Sequence, residues 1–434
     1  MRIAVIGAGI SGLGAAWLLS QDHQVRVFEK QSRIGGHSNT VDVSFGDVAV
    51  PVDTGFIVYN ELNYPNLIGL FDSLDVATKG SQMSFSVSLR DKSLEYEGSL
   101  RGLVAQPENL FKPQYWSMLN GLRQFYARAY DYSLETDETE TLGAFIKRHQ
   151  FSQSFIDDHL LPMGAAIWSC PADTMLEFPA RSFIQFMQNH KLMNYIDRPT
   201  WRTVAGGSRN YVKKLIDALD GQIETDATIT AVKRQSSGVI LSIAGEGDIY
   251  FDKVIMAGHA DEMLPLIEDA TDTERELLSS FTFQPNEVIL HSDPSLMPKR
   301  KAAWAAWNYL TSKDENPNLS VTYWMNKLQS IDNRYPLFVT LNPFQAPAPS
   351  LTHRHFSYDH PVFDAKAIKA QARLGEIQGQ NHIYHCGAWT KYGFHEDGLS
   401  SAVRVAKSLG ASIPWDSPTE HWHEPEAMNE RLQA

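Results

Sequence analysis

RIAVIGAGISGLGAAWLLSQDHQVRVFEK, residues Arg2 to Lys30, opens the chain with a pattern that constrains the whole fold. Nineteen consecutive positions, Ile3 to Gln21, carry no charge, and a membrane-crossing helix needs about 20 apolar residues. The residues speak against that use. Gly7, Gly9, Gly12 and Gly14 crowd a short span, and a signal peptide would want a more basic start and a small-x-small cleavage site near Ser20. A third reading accounts for every position. Ile3-Ala4-Val5-Ile6 suits a strand buried on both faces, and Leu13 to Ser20 suits a helix packed on a sheet. Val25-Arg26-Val27-Phe28-Glu29 suits a second strand ending in an acid.

Between the first strand and the helix, Gly7-Ala8-Gly9-Ile10-Ser11-Gly12 is G-x-G-x-x-G. In a Rossmann unit the first glycine makes the tight turn, the second lets backbone approach a pyrophosphate, and the third lets helix and strand pack closely. The helix N-terminus then presents free N–H groups and the positive end of its dipole to the phosphates. Glu29 is placed to accept hydrogen bonds from a ribose hydroxyl. Gly7, Gly9, Ser11, Gly12, Glu29 and Lys30 are therefore candidate cofactor contacts.

The rest of the composition narrows the field. The 434 residues suffice for two or three domains. A formal net charge of -13 argues against nucleic acid and against a polybasic membrane anchor. Two cysteines, Cys170 and Cys386, form no disulfide framework and no metal-type spacing, so no metal site is expected and a cytoplasmic protein is.

Residues after Glu29 and near the end discriminate among dinucleotides. Gln31-Ser32-Arg33-Ile34-Gly35-Gly36-His37 follows at once, and Val52-Asp53-Thr54-Gly55-Phe56 soon after. Far along stand His382-Ile383-Tyr384-His385-Cys386-Gly387-Ala388-Trp389 and Gly393-Phe394-His395-Glu396-Asp397-Gly398, leading into a helical run to Leu409. These segments resemble the flavin amine oxidase superfamily, which also holds phytoene desaturases and protoporphyrinogen oxidases. The resemblance implies an R-x-G-G-R segment after the ribose-binding acid and a D-x-G segment under the flavin. Arg33, Gly35, Gly36, Gly55 and Phe56 match it. His37 stands where the superfamily has its second Arg, and a neutral imidazole is a weaker phosphate partner than a guanidinium. By the same resemblance the backbone at Val232 meets the adenine, while Gly387 and Ala388 lie against the flavin. Asp397-Gly398 stands for the family's E-G pair at a helix start that stabilises negative charge on the ring. Ala388 is a departure from the acid or Thr common there. The implied cofactor is FAD, held noncovalently. The implied fold is α/β, a Rossmann-like FAD-binding domain of the glutathione-reductase type with an inserted α+β substrate domain.

With cofactor segments at both ends and near the middle, the FAD-binding domain must be discontinuous, over 1–74, 200–284 and 376–411. Residues 75–199 and 285–375 form the substrate domain, and 412–434 a peripheral tail. Pro113 to Tyr132 reads as a helix carrying Trp116, Leu119, Leu122, Phe125, Tyr126 and Tyr130. Leu337 to Leu341 reads as a strand ended by Asn342-Pro343. Ile229–Lys233 and Val239–Ile243 read as strands joined by a Ser-Ser-Gly turn.

No Ser/His/Asp constellation, HExxH or Walker loop is visible, and in a flavoenzyme the cofactor carries the electron chemistry. His395, Trp389 and Lys391 are the catalytic candidates, with His37 close by. Lys299 and Lys301 compete with Lys391 for the lysine that amine oxidases place near the flavin. Trp168, Trp304, Trp307, Asn308, Tyr309, Tyr323 and Trp324 are core or substrate wall. LLPMGAAIWSCP, KAAWAAWNYL and GFHEDGL further resemble an oxidoreductase branch similar to the flavoprotein domain fused ahead of the methyltransferase in plant cyclopropane fatty acid synthases. That implies oxidation of an apolar substrate, a fatty-acyl chain or acyl lipid, with a lipid-modifying partner enzyme. Two alternatives stand beside it: an amine oxidase releasing hydrogen peroxide, and a flavin-bound, non-catalytic partner of a lipid-modifying enzyme. With no transmembrane segment and no basic amphipathic helix expected, access to membrane lipid would need some other, peripheral docking surface.

Overall fold

A computed structural model describes residues 1–89, 93–137, 139–168, 172–194, 199–312 and 320–417. The opening stretch folds as strand Arg2–Ile6, helix Ile10–Ser20 and strand Gln24–Phe28. These sit in a five-stranded sheet ordered Gly221–Glu224, Gln24–Phe28, Arg2–Ile6, Lys253–Met256, Ile383–His385, and every pairing in it is parallel. Parallel neighbours cannot be joined by tight turns and need crossovers. The chain therefore leaves the sheet after Phe28 and after Met256 and returns at Gly221 and Ile383. All eleven residues of helix Ile10–Ser20 are buried, which explains the lack of charge: an unpaired buried charge is strongly disfavoured. The helix packs against the sheet on one side and against helix His395–Ser408 on the other.

The segments between form a seven-stranded sheet with helices on it. Its order is Thr352–Val362, Thr282–His291, Phe338–Leu341, Ser320–Trp324, Trp307–Thr311, Phe85–Leu89, Leu94–Glu97. Helix Pro113–Glu135 puts Tyr115, Met118, Phe125 and Tyr132 into a core shared with Val87, Tyr96 and Tyr309 of this sheet. Trp116 and Tyr130, which the apolar spacing grouped with Phe125, instead lie exposed. The helix has three environments rather than two, because one flank lines a cavity.

Ile229–Gln235 and Gly238–Ile243 pair antiparallel, joined to Gly247–Phe251. The strand expected from Leu337 begins at Phe338. Asp53 ties the lobes together. Its buried carboxylate accepts from Thr40 Oγ1 (2.6 Å), Ser208 N (2.9 Å), Ser208 Oγ (2.8 Å) and Gln329 Nε2 (2.7 Å). Trp415 stacks on Trp17 at 6.1 Å and donates to Asn66 Oδ1 at 3.1 Å. The remainder of the tail, from 418, and Cys170 lie outside the described residues. Among the described residues no helix is long and apolar enough to cross a membrane, and no His/Cys/Asp/Glu group could hold a metal.

Candidate active site

The glycine turn is held by tight backbone contacts. Gly7 turns at φ +106° and its N–H donates to Phe28 O at 2.8 Å. A Cβ on Gly12 would stand 1.9 Å from Gly7 O, so helix and turn meet only because Gly12 has no side chain. The second glycine loop lies over the first, and a Cβ on Gly36 would reach 3.0 Å from Gly9 Cα. Glu29 braces the turn, accepting from Ala8 N (2.8 Å) through one oxygen and from Gln31 N (2.9 Å) through the other. Each oxygen keeps a lone pair for a further donor. Arg33 folds back onto its own loop, donating to Gly36 O (2.6 Å) and Ser38 O (3.1 Å). Lys30 pairs with Glu262 at 2.6 Å.

These loops open into one continuous cavity of about 1470 Å³. That exceeds the roughly 300–1,000 Å³ of an ordinary small-molecule site. Gly7, Gly9, Ser11, Glu29, Lys30, Arg33, Gly36, His37, Gly55 and Phe56 line its cradle end, joined by Gly387, Ala388, Trp389 and His395. Gly12, Gly35, Asp397 and Gly398 lie one layer behind the lining, where they pack. Gly35 N–H donates to Ala8 O at 2.9 Å. Asp397 caps its own helix through Phe394 N at 2.9 Å, and Gly398 lets that helix start abut Ser11. Val232 is a correction. It is fully buried, its carbonyl accepts from Glu268 N at 3.1 Å, and the wall there is Ala227, Thr228 and Ile229.

Lys391 is likewise off the lining, its carbonyl held by Gln371, and Lys299 and Lys301 are exposed elsewhere. Trp389 donates its indole N–H to Gly258 O at 3.1 Å and packs on Phe281. His395 stacks on Phe56 at 3.9 Å, and its Nε2 is 2.7 Å from Tyr211 Oη. Burial pushes this imidazole down to about 3, which holds it neutral at ordinary pH. His37 is also neutral: burial holds it well below its usual value, and His360, His259 and His395 add to the effect.

Sequence reasoning missed several lining groups. His159 sits in a wide π turn, Ile156–Leu160, of a kind that often marks a functional site. Tyr96 Oη donates to Asp158 O at 2.7 Å, so His159 Nδ1–H donates to Tyr96 Oη (3.0 Å) and Nε2 accepts from Tyr126 Oη (3.1 Å). Glu396, behind the lining, accepts from Asn66 N (2.9 Å) and Leu67 N (2.9 Å), capping helix Pro65–Ser73. The one sequence signal was His159 standing directly after Asp157 and Asp158 at the head of the apolar run Leu160 to Trp168.

The buried titratable groups set an acid limit on the fold. Burial holds His159, His190, His291 and His360 at about 4 and His395 at about 3, against an ordinary 6.5. The unfolded chain therefore binds more protons between those values, and stability falls as pH drops from 6.5 towards 4. Asp53, raised by burial to about 6, and Glu396, raised by burial to about 7, act with the opposite sign above their unfolded values. Five imidazoles outweigh two carboxyls. The melting temperature is expected to fall from pH 6.5 to pH 4.5; a flat or rising profile in thermal melts at fixed ionic strength would contradict this.

The cradle fits FAD on its own geometry. Two helix N-termini, at Gly9 and at Phe394, converge on the cavity, and neither has the usual Ser, Thr, Asp or Asn cap. They offer N–H groups and positive dipole ends to an anionic ligand. Bare glycine backbone faces the same space, with Glu29 at the end of the second strand. Cys386 is buried beneath Gly387 and off the lining, its thiol pushed up to about 12.

A family model described as flavin containing amine oxidoreductase matches residues 10–409. A 4,4'-diapophytoene desaturase of Staphylococcus aureus (strain Newman) is 55% identical over 40 residues, 9% of this chain and 8% of the desaturase. The match thus spans under a tenth of that relative. A CLA-producing fatty acid isomerase from P. acnes shares the fold at TM-score 0.66 and 17% identity, covering 94% of this chain and 99% of that one. Putrescine oxidase bound to putrescine does so at TM-score 0.70 and 13% identity, with 94% and 99% covered. With a glycine-turn cradle at one end and a family match over residues 10–409, the chain belongs to the flavin-containing amine oxidoreductase family and is an FAD-dependent enzyme.

Proposed function

We propose that the enzyme oxidises an apolar, acyl-type chain that carries a hydrogen-bond acceptor. The observation that carries this reading is the character of the cavity beyond the cradle. Leu103, Leu119, Leu122, Met163, Ile167 and Leu192 line it, with aromatic walls from Phe186, Tyr392 and Phe394. Two indole N–H groups on this lining, Trp168 Nε1 and Trp307 Nε1, are buried without a partner among the described residues. An unpaired buried donor costs about 1–3 kcal/mol, a cost that a ligand acceptor removes. Tyr323 also lines the cavity, whereas Trp304, Asn308, Tyr309 and Trp324 do not.

An ammonium group would want the opposite chemistry, carboxylates or other acceptors. The lining carboxylates are Glu29, Glu262 and Asp359. The first two are engaged with Ala8, Gln31 and Lys30, and Asp359 neighbours His360 in the histidine cluster. When bound, FAD supplies the two-electron oxidation by accepting hydride. The chain's own part is to exclude water with the apolar wall, orient the substrate through Trp168, and keep His395 and His37 uncharged beside the cofactor. The fatty acid isomerase fold and the short desaturase match support an apolar substrate by analogy only.

Trp168 is the direct test. Trp168→Phe keeps the ring contacts with Phe178 and Phe186 and removes the N–H. We expect about a tenfold rise in KM for an oxygen-bearing acyl substrate, with the flavin content unchanged. Unchanged kinetics would remove the indole from substrate recognition.

A further inference from the structure

Among the described residues, eleven large hydrophobic side chains are exposed, and seven of them lie between Leu100 and Leu134. Leu100 is 87% exposed, Phe111 88%, Trp116 54% and Tyr130 51%; Val104, Leu110 and Leu134 complete the set. Single exposed apolar residues need no explanation, but a concentration in one segment does. The helical repeat places Trp116, Arg123, Tyr130 and Leu134 on one side of helix Pro113–Glu135. A neighbouring flank of the helix turns Leu119, Leu122 and Tyr126 into the cavity. Arg123 is both exposed and on the cavity lining, and Gly98 and Leu103, which bracket Leu100, line the cavity too. The exposed apolar surface is therefore the rim of the cavity's opening.

We propose that this rim docks on the surface of a lipid bilayer and lets an acyl chain pass into the cavity without crossing water. Three observations select a bilayer. Trp116 and Tyr130 have the amphipathic build that settles at a membrane interface. Arg101, Lys112 and Arg123 lie in the same segment and suit headgroup phosphates, while the nearby Glu108 is within 3.5 Å of Arg300. The net charge of -13 gives no general attraction to anionic surfaces, so adsorption must come from a local apolar patch. Trp116 Nε1 donates to Leu110 O at 2.8 Å, tying the turn Pro107–Phe111 to the helix start with Phe111 outward. The proposal rests on the acyl-chain reading only for choosing lipid over a protein surface.

The test is flotation of the full-length, flavin-loaded protein with vesicles of phosphatidylcholine alone and with one-fifth phosphatidylglycerol. Wild type is expected to float with both, and to stay bound at high salt. Leu100→Ser with Phe111→Ser should weaken binding at least tenfold, since both substitutions remove apolar area that the bilayer would bury. Neither residue lines the cavity, so flavin content and turnover of a short, water-soluble acyl substrate should be unchanged. Wild type that does not float, or a double variant that floats equally, overturns the proposal. A concentration-dependent dimer lost in the double variant, without vesicle binding, overturns it in favour of a second copy of the chain. Vesicle binding is read without turnover, so its failure is distinct from failure of the acyl-chain reading.

Discussion

Gly12→Ala is expected to yield protein without bound FAD. The new methyl would stand 1.9 Å from Gly7 O, 3.0 Å from Gly7 C and 3.2 Å from Ala257 Cβ, all on the turn or the strand end beneath it. Backbone cannot swing aside as a flexible side chain can. Helix Ile10–Ser20 would have to withdraw, carrying Gly9 and its N–H groups away from the phosphates. We expect flavin affinity to fall by at least 100-fold, read as the ratio of flavin to protein absorbance after desalting. Gly9→Ala provides the contrast. Its Cβ would meet only Gly36 Cα at 4.0 Å, so that variant should fold and melt normally while binding FAD poorly, because its obstruction arises only against the ligand. Full flavin in Gly12→Ala would refute the cradle as described.

Met163→Glu carries the second large effect. Met163 is half-buried on helix Leu161–Trp168 and lines the apolar part of the cavity. A carboxylate there faces hydrocarbon instead of water, at several kcal/mol for the unpaired charge. Turnover of an acyl substrate should drop by roughly 100-fold in kcat/KM, at about 1.4 kcal/mol per factor of ten. Flavin content should hold, because the cradle is built on other elements. The same carboxylate would welcome an ammonium. Undiminished acyl turnover in this variant would count against the acyl-chain reading.

The opening strand, turn and helix could be read from sequence because their constraints are local. Burial on both sides removes charge from Ile3 to Gln21, close backbone approach demands glycine, and the second strand ends on the acid. The histidine cluster beside the cradle and the support behind it could not be read, because their members meet only through tertiary packing. His37, His259, His360 and His395 come together from four separate segments. Glu396 finds Asn66 across 330 residues. Val232 was misplaced because only the strand's position in the three-stranded sheet shows that Ala227 to Ile229, not Val232, face the cavity. On helix Pro113–Glu135 the apolar spacing marked a helix correctly, but it gave no means of separating core, cavity wall and exposed rim.

Anaerobic titration of the flavin-loaded enzyme with acyl lipids and, separately, with putrescine separates oxidation of an acyl chain from oxidation of an amine. An acyl lipid is expected to bleach the oxidised flavin band, and putrescine is expected to leave it unchanged. Bleaching by amines alone, or none across a broad acyl panel while dithionite still reduces the flavin, would contradict the acyl-chain reading.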